Sequence, residues 1–497
     1  MVSKIKYFWS KYSFEITSIA FTFIVAYMTH YFNSVLFVND DQFTLYRYIA
    51  NIAEGNGFVF NIGERVLGST TPLFTLIAAL IKFIFSSISV PSIVAYLNII
   101  FLSVSALFFY RLSSLFLSKR FSLAATIIFA LNLSWTVPTG METPLFILLV
   151  LIFLNCLFSE KYYWSSIFLS LAILTRPDAG LIAVLALIFW WQKVGILKTI
   201  KLLAVSVLVA LPWLVFATAY FGSFIPQSLI TKLHIGDIVN QSPLQAFKVQ
   251  LSHLSRIYWG KIIDPNNLPI QVLVNLIPFF VLVYFGVKKK LNKDTWIIFA
   301  IPVLYFISYS ISNPVMFAWY LHQTELFWIL ISFIGISFIF EKIKVSGSQK
   351  KYIAVIFFAV LFIGPTYSWA KKMIDPSEGS KVPLYKIGMY IKEHMEPGDK
   401  IGLSNIGIVS FITHAYVIDF IGLTRAESVG FYPIKDPCLD KNNQYVISPN
   451  LVMDTKPDWV VAGEKEWVKC FVEGKWFTSN YSPVYSINTA KVWKLNK

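Results

Sequence analysis

The chain has 497 residues, of which 56% are hydrophobic, 17% aromatic and 14% charged. A soluble domain carries about 25% charged residues, so this composition excludes an ordinary soluble protein and points to a polytopic membrane protein. The net charge of +15 calls for no nucleic-acid partner, because Lys and Arg gather in the short cytoplasmic loops of membrane proteins.

The basic N-terminus "MVSKIKYFWSKYSFE" leads into an apolar run over about residues 13–36. That run can cross a bilayer core of about 30 Å, and no small-residue cleavage site follows, so it reads as an uncleaved first helix. Further apolar segments lie at about 92–113, 121–138, 145–159, 162–175, 179–192, 200–221, 270–287, 295–312, 324–341 and 352–368. Residues 72–88, "PLFTLIAALIKFIFSSI", are short for a span and carry Lys82. If they lie on or dip into the outer face, the clear basic loops become cytoplasmic: Arg111 to Arg120, Lys161, Lys193 to Lys201, Lys288 to Lys293, and Lys342 to Lys351. The positive-inside rule then favours about eleven spans, with the N-terminus inside and the C-terminus outside.

Residues 1–368 therefore read as an all-α polytopic membrane domain with outer-face juxtamembrane helices. Residues 369–497 read as a soluble α/β domain on the outer side, with a helix at 382–395 and strands in "DKIGLSN", "AYVIDFIGL" and "KPDWVVAG". Of the three cysteines, Cys156 is in an apolar segment, whereas Cys438 and Cys470 are in the tail and could pair if it is outside the cytosol. In this topology the polar segments converge on the outer face: Asp40 and Asp41, "GMETP" at 140–144, "TRPD" at 175–178, loop 222–268, and "NPVMFAWYLHQTE" at 313–325.

The outer loop 37–91 opens with paired acids after the first span. One acid at a helix start is explained by capping, since its carboxylate accepts backbone N–H groups there. Two acids, followed by Tyr46, Arg47, Tyr48, Asn51, Glu54 and Glu64, suggest more. Successive helical residues point about 100° apart, so the two acids have different roles. They cannot flank a sugar as the paired carboxylates of a retaining glycosidase do, about 5 Å apart. A single placed acid suits an inverting displacement in which it deprotonates an incoming hydroxyl while a phosphate departs unaided. A lipid-linked sugar phosphate is such a donor, and its charge asks for Arg or Lys nearby.

The segments "DDQFTLYRYIANIAEGNGFVFNIGERVLGSTTPLF", "GMETPLF", "LTRPDAG", "YFGSFIPQSLITK" and "FAWYLHQTELF" occur in that order. Together they resemble the GT-C superfamily of polytopic glycosyltransferases, and most of all its terminal arabinofuranosyltransferase branch of bacterial cell-envelope synthesis. Aminoarabinose transferases of lipid A and protein O-mannosyltransferases are more distantly similar. The tail segment "GDKIGLSNIGIVSFITHAYVIDFIGLT" is similar to the branch's exoplasmic domain. The resemblance implies a plasma-membrane enzyme that takes a monosaccharide from a polyprenyl-phosphate donor and passes it to a glycan, lipid or protein acceptor on the outer face. It puts the catalytic acid on Asp40 or Asp41 and a second acid on Glu142; of the pair, position slightly favours Asp40, which meets the membrane edge first. It matches Arg176 and Lys232 to donor-phosphate contacts. Leu67, where an acid is common, and Gln227 and Ser228, where Asn and Thr are common, leave the donor sugar and acceptor open.

The other residues carry two readings each. Glu142 is a helix-start acid, or it holds a divalent cation (Mg²⁺, Mn²⁺ or Ca²⁺) or an acceptor hydroxyl. Arg176 pairs locally with Asp178 or grips the donor phosphate. Lys232 and His234 are solvated loop charges or ligands. Trp319, Tyr320 and His322 form an interfacial belt or stack on the sugar or prenyl head. Of Asp40 and Asp41, the one that is not the base orients the loop, pairs with Arg47 or holds a cation. The rival classes are a lipid-linked saccharide flippase, which buries its functional charges near the midplane, and a non-catalytic membrane scaffold.

Overall fold

The structure, a computed structural model, describes residues 2–33, 40–236, 242–259, 294–312, 318–342, 382–432, 447–463 and 469–496, with isolated positions between 349 and 370. Two compact units make up the chain. The first comprises residues 1–34, 95–211 and 241–376, the second residues 35–94, 212–240 and 377–497. The expected span 270–287, most of 352–368, and Cys438 lie outside the described residues, as does the side chain of Cys470.

The first unit is helical. It holds α1 (Val2–Asn33), most of α4 (Val90–Ser113), α5 (Lys119–Leu133), α6 (Thr143–Phe158) and α7 (Tyr162–Thr175). It continues with much of α8 (Gly180–Phe221), then α10 (Pro243–Trp259), α11 (Trp296–Ser312) and α12 (His322–Lys342). Among the described residues three stretches are long and apolar enough to cross a membrane: Lys11–Asn33, Val90–Ser113 and Pro177–Phe221. The 42 residues of α8 break at Gly195, whose φ of 76° and ψ of 169° are not helical. An unbroken helix of that length would run about 63 Å, twice a bilayer core, and the break falls between the apolar segments 179–192 and 200–221. Small residues let α7 and α8 approach closely: the Ser170 hydroxyl donates to the Ser206 carbonyl at 2.7 Å.

The second unit joins the segment that follows α1 to the tail. It contains α2 (Asp40–Ala53), α3 (Pro72–Ile84), α9 (Gln227–Gly236), α13 (Val382–His394) and α14 (Ile406–Thr413). A five-stranded sheet has the order β2-β1-β3-β5-β4. Strands β1 (Lys400–Leu403), β2 (Tyr416–Asp419) and β3 (Trp459–Gly463) are parallel, as α/β patterning expects. Strands β4 (Tyr481–Ile487) and β5 (Ala490–Leu495) add an antiparallel hairpin.

Two apolar clusters hold this unit together, one of them built within the tail round Phe420, Leu451, Val460, Phe477 and Trp493, the other shared between the tail and the segment after α1. Tyr48, Phe58, Phe60 and Leu67 of the segment after α1 pack with Ile387, Ile401, Ile408, Val417 and Trp459 of the tail. Helix α3 buries Phe74, Ala78 and Ala79 on one face and exposes Leu76, Leu80, Phe83 and Ile84 on another.

Candidate active site

Helix α2 opens with both acids in its first turn. Asp40 is only 5% exposed. Its carboxylate reaches across to α14: Oδ2 accepts the Gly407 N–H at 2.9 Å and Oδ1 the Ile408 N–H at 2.8 Å. These belong to the N–H groups at a helix start that have no partner within their own helix. Gly407 permits the approach, because a Cβ there would lie 1.8 Å from the Asp40 carbonyl oxygen. Asp41, the next residue round the helix, is half-buried.

Arg47 meets the far end of α14. Its Nη1 donates to the Ser410 carbonyl at 3.0 Å and its Nη2 to the Ala415 carbonyl at 2.6 Å. Nε donates to the Phe60 carbonyl at 2.6 Å, and the guanidinium lies 4.6 Å from the centre of the Phe60 ring. Burial lowers the guanidinium pKa to about 10, so it stays charged at neutral pH. Asn61 then pairs with β2 as another strand would: its Nδ2 donates to the Val417 carbonyl at 2.9 Å, and its Oδ1 accepts the Val417 N–H at 3.0 Å. The Tyr416 hydroxyl bonds Glu64. On α9, Lys232 is exposed, and the Thr231 hydroxyl donates to the Gly422 carbonyl at 2.6 Å.

A second polar cluster lies within the first unit. Arg176, 3% exposed, ends α7 and forms a bidentate pair with Asp178, at 3.0 Å from Nε and 2.9 Å from Nη2. Its Nη1 donates to the Trp319 carbonyl at 3.0 Å and lies 3.5 Å from Glu142. Burial alone would lower the Arg176 pKa; Asp178, and then Glu142, outweigh it and hold the group protonated. The ring of Tyr320 lies 5.6 Å from the guanidinium. Asp178 also accepts the Tyr309 hydroxyl at 2.6 Å and the Gln323 amide at 3.1 Å. Beside this cluster in the sequence, Glu325 meets His253 and His322, each at 2.8 Å.

Of the residues singled out in the sequence, Asp40 and Arg47 are thus brought to α14, while Glu142, Arg176 and Tyr320 come together round one guanidinium. Tyr309, Gln323, His253 and Glu325 did not stand out. The spacing of His322 and Glu325, three residues apart on one helix face, was the one local signal. The partners from α10 and α11 are remote in sequence and carried none.

Comparison with known proteins agrees with this architecture. Residues 373–495 match a family model described as a domain of unknown function (DUF8728). No curated protein sequence matches. Solved structures similar to the chain include the Archaeoglobus fulgidus oligosaccharyltransferase tethered to an acceptor peptide containing the NVT sequon. It has 13% identity and a TM-score of 0.57, over 98% of this chain and 75% of that one. ArnT from Cupriavidus metallidurans, bound to undecaprenyl phosphate, has 9% identity and a TM-score of 0.60, over 97% of this chain and 98% of that one. The Archaeoglobus enzyme in complex with Zn and sulfate has 12% identity and a TM-score of 0.50, over 96% of this chain and 73% of that one. These neighbours are GT-C glycosyltransferases, and the chain has the GT-C fold.

Proposed function

We propose that the protein is an inverting membrane glycosyltransferase. It moves one sugar from a polyprenyl-phosphate donor to a glycan, lipid or protein acceptor on the outer face of the plasma membrane. The observation that carries this reading is the fold, shared along nearly the whole chain with an enzyme bound to undecaprenyl phosphate and with one tethered to an acceptor peptide. The ordered motifs of the sequence favour an arabinofuranosyl-type donor. The exposed apolar face of the 13-residue α3 suits a helix lying along the membrane, in keeping with the topology from charge.

In the proposed reaction Asp41 takes the proton of the acceptor hydroxyl. The acceptor oxygen attacks the anomeric carbon, the bond from that carbon to the phosphate oxygen breaks, and polyprenyl phosphate leaves with the electron pair. A placed base contributes about 10²–10⁴-fold to rate. Asp41 is preferred to Asp40 because both Asp40 oxygens accept backbone N–H groups of α14, which makes Asp40 a positioning residue. Lys232, an exposed cation, is the favoured phosphate contact. Arg176 has two carboxylates and a carbonyl as partners and orders Glu142 and Tyr320; donor contact through it is secondary. One neighbour was solved with Zn. Among the described residues Glu142 meets the Arg176 guanidinium and falls in no cluster of metal-ligating side chains, so the reaction is written for side chains alone.

The test is transfer from a synthetic polyprenyl-phosphate sugar by the purified protein, with the product anomer read by NMR. Inversion supports the proposal. Retention, or equal activity with a soluble nucleotide sugar, overturns it.

A further inference from the structure

One group of side chains has no part in that reaction. His322 and Glu325 stand three residues apart in the first turn of α12, so they share a helix face. His253 comes to them from α10. The Glu325 carboxylate lies between the two rings, with Oε1 2.8 Å from His253 Nε2 and Oε2 2.8 Å from His322 Nδ1. The three ligand atoms lie within 4.8 Å of one another. Glu325 and His322 are buried and His253 half-buried.

A buried carboxylate needs a positive partner. A divalent ion held between the three side chains supplies that charge and takes a lone pair from each imidazole. Two imidazoles and one carboxylate form a recurrent first-row transition-metal ligand set, with bonds of about 2.0–2.2 Å. Ligand atoms at that distance from one ion sit roughly 3–3.5 Å apart, so the two 2.8 Å contacts must open slightly and the wider separation, within 4.8 Å, must close. Imidazole nitrogen favours Zn²⁺ and its neighbours in the series over the hard cations Mg²⁺ and Ca²⁺.

We infer that His253, His322 and Glu325 bind one divalent first-row transition-metal ion, zinc being the best match, and that this ion ties α10 to the start of α12. The site is distinct from the acids of the first outer loop and from any hard-cation role of Glu142. It leaves a coordination position for water.

The test uses the full-length protein without a histidine tag, purified in detergent and stripped with a chelator. Wild-type protein is expected to take up one Zn²⁺ per chain. Co²⁺ in its place should give d–d absorption bands that Zn²⁺ bleaches and Mg²⁺ does not. His253→Ala and Glu325→Gln should each weaken Zn²⁺ binding on the order of tenfold or more, since even outer-shell partners of a bound zinc are worth about 10–100-fold. His394→Ala, in the other unit, should bind as wild type does. No Co²⁺ bands in the wild type, displacement of Co²⁺ by Mg²⁺, or equal Zn²⁺ binding by wild type and a well-folded His253→Ala protein would each overturn the inference. The Co²⁺ spectrum needs no variant, so it decides the matter even if the variants misfold.

Discussion

Asp40 and Arg47, seven residues apart on α2, hold opposite ends of the same short helix. Asp40 accepts the N–H groups at the start of α14, and Arg47 donates to the carbonyls of Ser410 and Ala415 at its end. Negative charge at a helix N-terminus and positive charge at its C-terminus are both stabilising, by about 0.3–1 kcal/mol each and up to about 2 in partly buried geometry. An eight-residue helix is marginal by itself. The segment after α1 is thereby a structural partner of the tail, and the tail fixes the start of α2, where Asp41 follows Asp40. Asp40→Ala should lower stability by about 0.5–2 kcal/mol, the usual cost of a lost cap. Thermal unfolding in detergent and faster exchange of the Gly407 and Ile408 amides would show it.

Arg47→Lys should destabilise more than its charge-conserving label suggests. An ammonium cannot reproduce the fork that reaches three carbonyls in different directions. The Ser410 carbonyl keeps the His414 N–H and the Phe60 carbonyl the Asn51 amide, so the loss falls mainly on the Ala415 carbonyl, where a buried acceptor left without a donor costs about 1–3 kcal/mol. A melting temperature unchanged from wild type would show that Arg47 does not hold the segment to the tail.

Gly407→Ala tests the same junction from the other side. In an isolated helix the change gains about 1 kcal/mol. Here the added Cβ meets the Asp40 carbonyl at 1.8 Å, so α14 must move away from α2. The expected result is a net loss of stability together with loss of turnover. A stabilised, active variant would contradict the close approach.

The Arg176 cluster separates two kinds of carboxylate. Asp178→Ala removes the bidentate partner and leaves a buried guanidinium, at a cost of about 3–5 kcal/mol. Glu142→Gln weakens a longer contact of 3.5 Å and should cost less stability while changing turnover. If Glu142→Gln is the more destabilising of the two, the order of partners is wrong.

Much of the fold was legible in the sequence because it rests on local patterns. The parallel strands "DKIGLSN", "AYVIDFIGL" and "KPDWVVAG" announce themselves as apolar β-branched runs, and β1, β2 and β3 lie within them. The hairpin of β4 and β5 was missed. Ser482, Pro483 and Val484 are exposed, so burial did not shape that edge. The break in α8 fell where two apolar segments had been separated. The acids at 40–41 were visible as a pair, but capping was weighed only for the helix that Asp40 itself begins. Its partners lie 367 and 368 residues away, and no periodicity encodes such a distance. His253 was hidden for the same reason, joined to His322 by packing between helices rather than by spacing.

The central claim is that Asp41 is the base and Asp40 a positioning residue. The most direct measurement compares Asp40→Asn and Asp41→Asn in the purified protein, recording turnover from a polyprenyl-phosphate sugar beside donor affinity and melting temperature. Asp41→Asn should lose about 10²–10⁴-fold in turnover with donor affinity and melting temperature close to wild type. Asp40→Asn, whose amide keeps an oxygen but loses the charge, should lower the melting temperature and lose less turnover. Full turnover by Asp41→Asn, or the larger loss falling on an Asp40→Asn protein that melts as wild type does, would contradict the assignment.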